Sequence, residues 1–202
     1  MVRAILDGRK TQTRRVVKLN VTGRAQRGKR QWHIEDPDAV LACPYGQPGD
    51  RLWVRETFQG PLWEEGTWDA DTDYHSPAFC EYRADGGPMP EYVDFEDNLR
   101  QGWKPSIHMP RWASRILLEV TDVRVERLQN CTQSDAVDEG IERSRAGFMP
   151  PGFRLYGKPG NVYGTDPIES YRSLWDSLNA ARGYGWDTNP WVWVVSFKRV
   201  TA

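Results

Sequence analysis

The chain has 202 residues, with 27 Lys and Arg against 28 Asp and Glu, so its formal net charge is −1. This charge excludes a polybasic protein that holds nucleic acid by bulk charge. Its longest apolar run covers only residues 191–195, far short of the about 20 residues of a membrane helix, so no membrane partner is expected. Three widely spaced cysteines, without a basic-then-apolar leader, predict a cytoplasmic protein with no disulfide framework.

The first elements predicted along the chain are a short helix and a strand. Apolar residues at helical spacing favour a helix over Met1–Asp7, which Gly8 can end in the left-handed conformation. The Thr- and Val-rich segment Thr11–Leu19 favours a strand. Residues 20–50 are polar and interrupted by Pro and Gly, so they predict a loop, and a second strand opens at Leu52.

The middle of the chain is dominated by a long excursion. Residues 60–102 are acidic, aromatic and rich in Gly and Pro, which predicts a loop with at most a hairpin near Phe79–Arg83. Apolar residues then recur along Arg115–Leu128, which predicts one long strand or a strand pair. Thr132 is expected to cap a short helix, with Asp135 in the capping-box position.

The last third predicts a loop, a helix and a strand. The short helix is expected to stop at Gly140, and residues 143–165 are Gly- and Pro-rich, so they predict a loop. From Pro167 onward, apolar residues recur every three to four positions, which is typical of an amphipathic helix. Trp191–Val200 predicts the final strand.

Together these elements predict an α+β fold, a small mixed β-barrel flanked by short helices, because strands predominate and do not alternate with helices. The length suits one domain over residues 1–202. Long loop insertions are expected at about 20–45, 57–100 and 143–165.

Metal and cofactor motifs are absent from the sequence. His33, His75 and His108 are not at ligand spacing, and no Cys-x-x-Cys pair occurs. The Gly-rich fingerprints of phosphate-binding and dinucleotide-binding loops are also missing. We therefore expect no metal and no cofactor.

One basic segment, Asp7–Arg15, carries candidate chemistry. It passes from helix to strand through Gly8, and alternation along the strand puts Thr13 and Arg15 on one face. Lys10 lies at the turn, from which it can fold back toward that face, and a hydroxyl beside an amine is a candidate nucleophile and base. The amine must be neutral, a state that burial and neighbouring cations favour. Anion binding and simple solvation explain the same residues, and both stay open at this point.

Several segments resemble one known family, in the order in which that family carries them. Gly8-x-Lys10, followed by four residues and Arg15, resembles the signature of the ASCH (activating signal cointegrator homology) family, whose fold is a PUA-like β-barrel. Leu128–Ile141 resembles the family's strand–turn–helix, and Pro48–Glu56 resembles its second barrel strand. Trp191–Phe197 resembles its closing strand, and Trp103–Trp112 resembles a block of the longer, often prophage-borne members. The resemblance implies a PUA-like barrel with long loop insertions.

The resemblance also implies an activity. Some small ASCH proteins are amidohydrolases that cleave N4-acetylcytidine to cytidine and acetate without a metal. Their Lys/Thr/Glu triad falls on Lys10, Thr13 and Glu139 here, as base, nucleophile and general acid. Each position also has a plainer explanation: phosphate binding for Lys10, an ordinary strand position for Thr13 and an ion pair for Glu139.

Five further residues are candidates for binding the modified nucleoside or base. Arg15, or a backbone N–H of the turn before it, is placed to stabilise an oxyanion. Trp53 suits stacking on a pyrimidine or, alternatively, packing in a core. Arg55 and Glu56 form either a buried pair or a substrate-recognition pair, and His108 is either a structural hydrogen-bonding residue or a pocket residue.

Two other functions stay open. Residues 1–31 carry ten Lys and Arg against one acid, and PUA domains bind RNA, so an RNA-binding or RNA-cleaving module is the main alternative. The twelve acids against one base in residues 56–97 disfavour a broad duplex footprint. The aromatic loops also suit an accessory protein that binds a protein partner. The sequence leaves the acyl group, the choice between nucleoside and RNA, and the oligomeric state open.

Overall fold

The structure is a computed structural model that describes residues 1–63, 66–94, 96–144 and 152–200. These residues form three α-helices: α1 (Val2–Leu6), α2 (Gln133–Asp138) and α3 (Pro167–Asn179). They also form twelve strands: β1 (Gln12–Val16), β2 (Ala25–Arg27), β3 (Arg30–Trp32), β4 (Arg51–Trp53), β5 (Phe58–Gln59), β6 (Glu81–Tyr82), β7 (Glu91–Val93), β8 (Leu99–Gln101), β9 (Leu117–Arg127), β10 (Phe153–Leu155), β11 (Val162–Gly164) and β12 (Trp191–Val200). No described helix has the length and apolar content that a bilayer crossing requires.

Four of the strands form one curled antiparallel sheet, a half-barrel in the order β1-β12-β9-β4. This sheet and the few short helices confirm the coarse prediction of an α+β fold. β1 is an edge strand and pairs with β12, which places Thr13 opposite Val195. β12 is buried on both faces from Val192 to Val195. Because both faces are covered, its sequence is an unbroken apolar run rather than an alternating one.

The chain forms two compact units. The first consists mainly of Arg3–Arg51 and Glu119–Lys198, and the second mainly of Leu52–Leu118. The expected single domain over residues 1–202 stays a prediction.

The core of the first unit includes one face of α3. Tyr171 and Trp175 from α3 are buried with Ala136 from α2 and with Val192 and Val194 from β12. Full burial of a large apolar side chain contributes roughly 1.5–3 kcal/mol. This packing holds α2 and α3 against the sheet, so it also fixes the polar residues that these helices carry.

The capping box predicted for α2 is confirmed. The Thr132 hydroxyl accepts a hydrogen bond from the Asp135 backbone N–H at 3.1 Å, and the Asp135 carboxylate accepts one from the Thr132 backbone N–H at 3.0 Å. The helix then ends, as expected, at Glu139 and Gly140, where Gly140 has a φ of +80°. A fixed start and a fixed end make α2 a short, rigid support.

The second unit has its own small core, formed by Phe58, Tyr82, Met109 and Ala113. The Tyr82 hydroxyl donates a hydrogen bond to the Ala113 carbonyl at 2.8 Å. β5 pairs with β6, so the segment Phe79–Arg83, predicted to hold at most a hairpin, contains a single strand and no local hairpin. Its partner lies more than twenty residues earlier in the chain, a pairing that local sequence does not reveal.

Three regions predicted as loops contain short antiparallel hairpins instead. β2 pairs with β3, β7 with β8, and β10 with β11. Each strand has only three residues, too few to show apolar alternation. Gly28 (φ +61°) lies in the first turn and Asp97 (φ +57°) in the second. The predicted strand Thr11–Leu19 is also shorter than expected, since β1 spans Gln12–Val16.

Candidate functional site

The end of α2 meets the start of β1 in the first unit. The Thr11 backbone N–H donates to the Asp138 carbonyl at 2.9 Å, and the Lys10 backbone N–H donates to the Ala4 carbonyl at 2.8 Å. Lys10 and Glu139 also form an isolated antiparallel bridge. Backbone hydrogen bonds therefore bring two residues that are far apart in sequence into fixed register before their side chains interact.

Gly140 allows this close approach. A Cβ atom at this position would lie 2.7 Å from the Lys10 Cβ and 2.9 Å from the Ala4 Cβ. Its φ of +80° also lies in the region that other residues rarely adopt. Two independent constraints, space and backbone conformation, thus require glycine directly after Glu139.

The Lys10 ammonium and the Glu139 carboxylate form a buried ion pair. Lys10 Nζ lies 2.7 Å from Glu139 Oε2, and the two side chains are only 4% and 3% exposed. Nζ also donates to the Gln12 carbonyl at 2.8 Å and to the Glu139 carbonyl at 2.9 Å. Burial lowers the pKa of Lys10 from its ordinary value of 10.5, and the Glu139 charge opposes that shift only in part.

The second carboxylate oxygen of Glu139 faces Tyr171 and Arg14. The Tyr171 hydroxyl donates to Oε1 at 3.2 Å, and Arg14 Nη1 lies 3.5 Å from the same oxygen. Burial raises the pKa of Tyr171 well above 10.0, and the Glu139 charge acts in the same direction. Tyr171 therefore stays protonated and acts as a hydrogen-bond donor.

Arg14 is the most deeply buried cation of this cluster, with a side chain that is 0% exposed. Its Nη2 lies 2.8 Å from Glu126 Oε1 and 3.3 Å from Asp135 Oδ2. Its Nε and Nη1 have no hydrogen-bond partner among the described residues. A buried guanidinium with unused N–H groups is costly unless a ligand or solvent completes it.

Asp135 links this cluster to the cap of α2. It accepts hydrogen bonds from Gln12 at 3.0 Å and from Arg124 at 2.7 Å, in addition to the capping hydrogen bonds. Burial alone would raise the pKa of Asp135, but the hydrogen bonds from Gln12 and Thr132 lower it well below 3.8. Asp135 therefore stays ionised and keeps Arg14 in place.

A cavity of about 670 Å³ opens beside this cluster. Thr13, Arg14, Arg15, Glu139 and Tyr171 are among its lining residues. Thr13 and Arg15 lie on the opposite strand face from Arg14. The cavity lining therefore includes residues of both strand faces, although the Arg14 side chain itself is 0% exposed.

The structure brings two members of the predicted triad into contact and the third close by. Lys10 and Glu139 are paired directly, and Thr13 lines the same cavity as Glu139. Lys10 Nζ is bound to the carbonyl of Gln12, the residue before Thr13. Thr13 is half-buried, and its hydroxyl has no hydrogen bond to another residue within the described ranges.

Only one of the five predicted substrate-binding residues lies in this cavity. Arg15 is exposed and lines it, whereas Trp53, Arg55, Glu56 and His108 belong to the second unit. His108 is exposed at the end of a short 3-10 helix. None of these four residues therefore lines the cavity that contains Glu139.

Of the two roles predicted for Arg55 and Glu56, the buried pair is wrong, and the substrate-recognition pair stays a prediction. The Arg55 guanidinium is 4.8 Å from the centre of the Trp53 ring, and Glu56 is held by Arg115 through contacts of 3.0 and 3.1 Å. In an extended chain, adjacent side chains point to opposite sides, so Arg55 is exposed and Glu56 is buried. Trp53 also lies 5.7 Å from the Arg111 guanidinium.

Sequence reasoning missed Tyr171 and most of the Arg14 cluster. Tyr171 belongs to the apolar stripe of α3, so its spacing indicates only a core position. The one available signal was its hydroxyl, since a buried tyrosine usually finds a hydrogen-bond partner. In the sequence, Arg14 is one of the cations next to Lys10 and nothing more, because its three acidic neighbours lie more than one hundred residues away.

The second unit holds a larger cavity, of about 850 Å³. Its lining combines aromatic side chains such as Trp63, Phe79 and Tyr92 with the acids Glu81 and Glu91. None of the predicted site residues lines it, so size alone does not identify the candidate site. Within the described ranges, no three His, Cys, Asp or Glu residues are grouped so that they could hold a metal ion.

Comparison with known proteins gives no match: no family model, no curated protein and no solved structure is similar to this chain at a significant level.

The close approach at Gly140 generates a stability prediction. Gly140→Ala should lower the free energy of unfolding by about 1–2 kcal/mol for the left-handed backbone and by a further ~1–3 kcal/mol for overpacking against Lys10 and Ala4. Denaturant unfolding of this variant, its control and the parent protein measures the difference.

Gly157→Ala is the matched control. Gly157 has a φ of +74°, but a Cβ added there would have no atom within 4 Å, so this variant should show only the backbone cost. Equal losses in the two variants would contradict the close approach.

Proposed function

We propose that this chain is an amidohydrolase of the ASCH type, with a PUA-like barrel, which cleaves the N4-acyl amide of N4-acetylcytidine or related N4-acylcytosines and N4-acylcytidines. One observation carries the proposal. Lys10 Nζ contacts both the Glu139 carboxylate at 2.7 Å and the carbonyl before Thr13 at 2.8 Å, while Thr13 and Glu139 line one cavity. The base and the acid are thus in direct contact, and the hydroxyl nucleophile lines the same cavity as the acid.

The Lys10–Glu139 hydrogen bond supplies both protonation states that the reaction needs. Moving one proton from Nζ to Oε2 converts the ion pair into a neutral amine and a neutral carboxylic acid. Burial favours this neutral pair, because it removes two charges from a site of low polarity. The lowered pKa of Lys10 acts in the same direction.

Acyl transfer then proceeds with every proton accounted for. Neutral Lys10 takes the proton of the Thr13 hydroxyl, whose oxygen attacks the acyl carbon. Protonated Glu139 gives its proton to N4 as the C–N bond breaks, so cytidine leaves as a neutral amine. Lys10 then returns its extra proton to Glu139. Water attacks the acyl group on Thr13 and releases it as the acid. The proton that water loses passes through Lys10 to the Thr13 oxygen.

Two neighbours support this chemistry. Tyr171 donates to Oε1 of Glu139 and so leaves Oε2 directed at Lys10, which makes Tyr171 a positioning residue. The oxyanion of the tetrahedral intermediate needs donors, each worth about 3–4 kcal/mol. Arg15 lines the cavity on the same strand face as Thr13 and is the candidate donor, whereas the Arg14 side chain is 0% exposed and does not reach a bound substrate.

Hydrolysis of N4-acetylcytidine tests the proposal directly. The protein should release cytidine and acetate, and Thr13→Val should lower kcat/KM by about a thousandfold or more, because it removes the nucleophile while keeping the side-chain shape. Product formation is followed by chromatography. Thr11→Val is the matched control, since Thr11 is an exposed threonine two residues away. Absence of turnover, or equal rates for the two variants, would refute the assignment.

The pH profile provides a second test. The mechanism needs one proton on the Lys10–Glu139 pair, because neutral Lys10 acts as the base and protonated Glu139 as the acid. Loss of this proton at high pH leaves no general acid, so kcat/KM should fall as pH rises through the pKa of Lys10, which burial lowers from 10.5. Initial rates, corrected for hydroxide hydrolysis without protein, measure the profile. A rate that keeps rising beyond pH 10.5 would exclude the Lys10–Glu139 pair as base and acid.

A further inference from the structure

The cavity that contains Thr13 and Glu139 is strongly cationic. Four basic residues line it, namely Arg14, Arg15, Lys18 and Arg182, and the side chains of the last three are exposed. Among the described residues, Glu139 is the one acidic side chain in its lining, and the ion pair with Lys10 neutralises that charge. A cavity with this charge pattern concentrates anions rather than neutral molecules.

Three of these cations are not held by acids. Arg15, Lys18 and Arg182 are exposed, and none of them forms an ion pair with another residue of the described chain. Other basic residues of the first unit do, such as Arg172 with Asp187 at 2.9 Å and Lys198 with Glu119 at 2.8 Å. Unpaired cations on a cavity rim are available to bind a phosphate.

The less exposed residues of the cavity lining differ in chemistry from the exposed cations. Glu139 and Tyr171 are buried and Thr13 is half-buried, and these three provide the reactive and positioning groups. The cavity volume of about 670 Å³ lies within the about 300–1,000 Å³ typical of small-molecule sites. A ligand with a polar uncharged end and an anionic end matches this arrangement.

We infer that the substrate is a nucleoside monophosphate, an N4-acylated cytidine 5′-phosphate, rather than the free nucleoside. Arg15, Lys18 and Arg182 bind its phosphate, and the acylated base lies toward Thr13 and Glu139. This inference rests on the proposed function for the identity of the base, whereas the phosphate subsite rests on the charges of the cavity alone.

Equilibrium binding of the two possible products tests the subsite without any turnover. By titration calorimetry at low salt, cytidine monophosphate should bind about tenfold or more tightly than cytidine. The advantage should shrink as salt rises, because the rim cations are exposed. Equal affinities for the two compounds would overturn the inference.

A pair of double variants locates the subsite. Lys18→Gln combined with Arg182→Gln should abolish most of the advantage of cytidine monophosphate while leaving cytidine binding unchanged. Arg30→Gln combined with Lys158→Gln is the control: both residues are exposed cations of the first unit, and neither lines the cavity. An equal loss in both double variants would show a general charge effect and overturn the inference.

Two further measurements separate this inference from the proposed hydrolysis. If N4-acetylcytidine is hydrolysed but its 5′-phosphate is no better a substrate by kcat/KM, the phosphate subsite is refuted and the amidohydrolase stands. If neither compound is hydrolysed but cytidine monophosphate still binds more tightly than cytidine, the amidohydrolase is refuted and the phosphate subsite stands. A short oligocytidylate that binds more tightly than cytidine monophosphate, with a steeper salt dependence, would show that the cavity binds RNA. That result would overturn the inference of a mononucleotide substrate.

Discussion

The buried ion pair between Lys10 and Glu139 is the constraint on which the rest of the first unit depends. Removing an ammonium and a carboxylate from water costs several kcal/mol per ion, and their attraction offsets this only with further hydrogen bonds. The protein supplies them from the carbonyl of Gln12, the carbonyl of Glu139 and the hydroxyl of Tyr171. The capping box of α2 and the glycine after it hold the two charged residues in register.

A buried ion pair is a poor way to stabilise a fold, since well-packed apolar residues often serve as well or better. The second unit offers a comparison. There Glu56 and Arg115 form a two-pronged pair, with the guanidinium 3.8 Å from the centre of the Tyr82 ring, and Asp85 as a second acid. That pair has the geometry of a structural bridge and none of its members lines a described cavity. The pair in the first unit instead borders a cavity and a free hydroxyl, which is why chemistry is proposed for it.

Electrostatics extend from this pair outward in two layers. Next to Glu139, Arg14 is enclosed by Glu126 and Asp135, so its charge is balanced although some of its N–H groups are unused. Farther out, the rim of the cavity carries cations that no acid of the described chain balances. The inner layer can therefore hold a reacting group in a defined orientation, and the outer layer attracts an anion over a longer range but with strong screening by salt.

The sequence by itself determined the elements whose signals are local: the capped helix α2, the amphipathic helix α3 and the doubly buried strand β12. Each depends on spacing or on contacts within a few residues, so composition and periodicity reveal it. The three-residue hairpins gave no such signal. The resemblance to the ASCH family implies the triad of Lys10, Thr13 and Glu139. The substrate-binding candidates Trp53, Arg55, Glu56 and His108 are predicted from their side-chain chemistry, and the structure assigns these four to the second unit.

Only the tertiary structure decided which side chains meet. Lys10 and Glu139 are 129 positions apart, and their contact follows from the end of α2 docking against the start of β1. Tyr171 reaches the same carboxylate because α3 packs on the core beside α2, although its sequence pattern indicates only an apolar stripe. Periodicity fixes which face of an element is buried, whereas the partner of a buried polar group is set by the order of strands and the docking of helices, which no local pattern encodes.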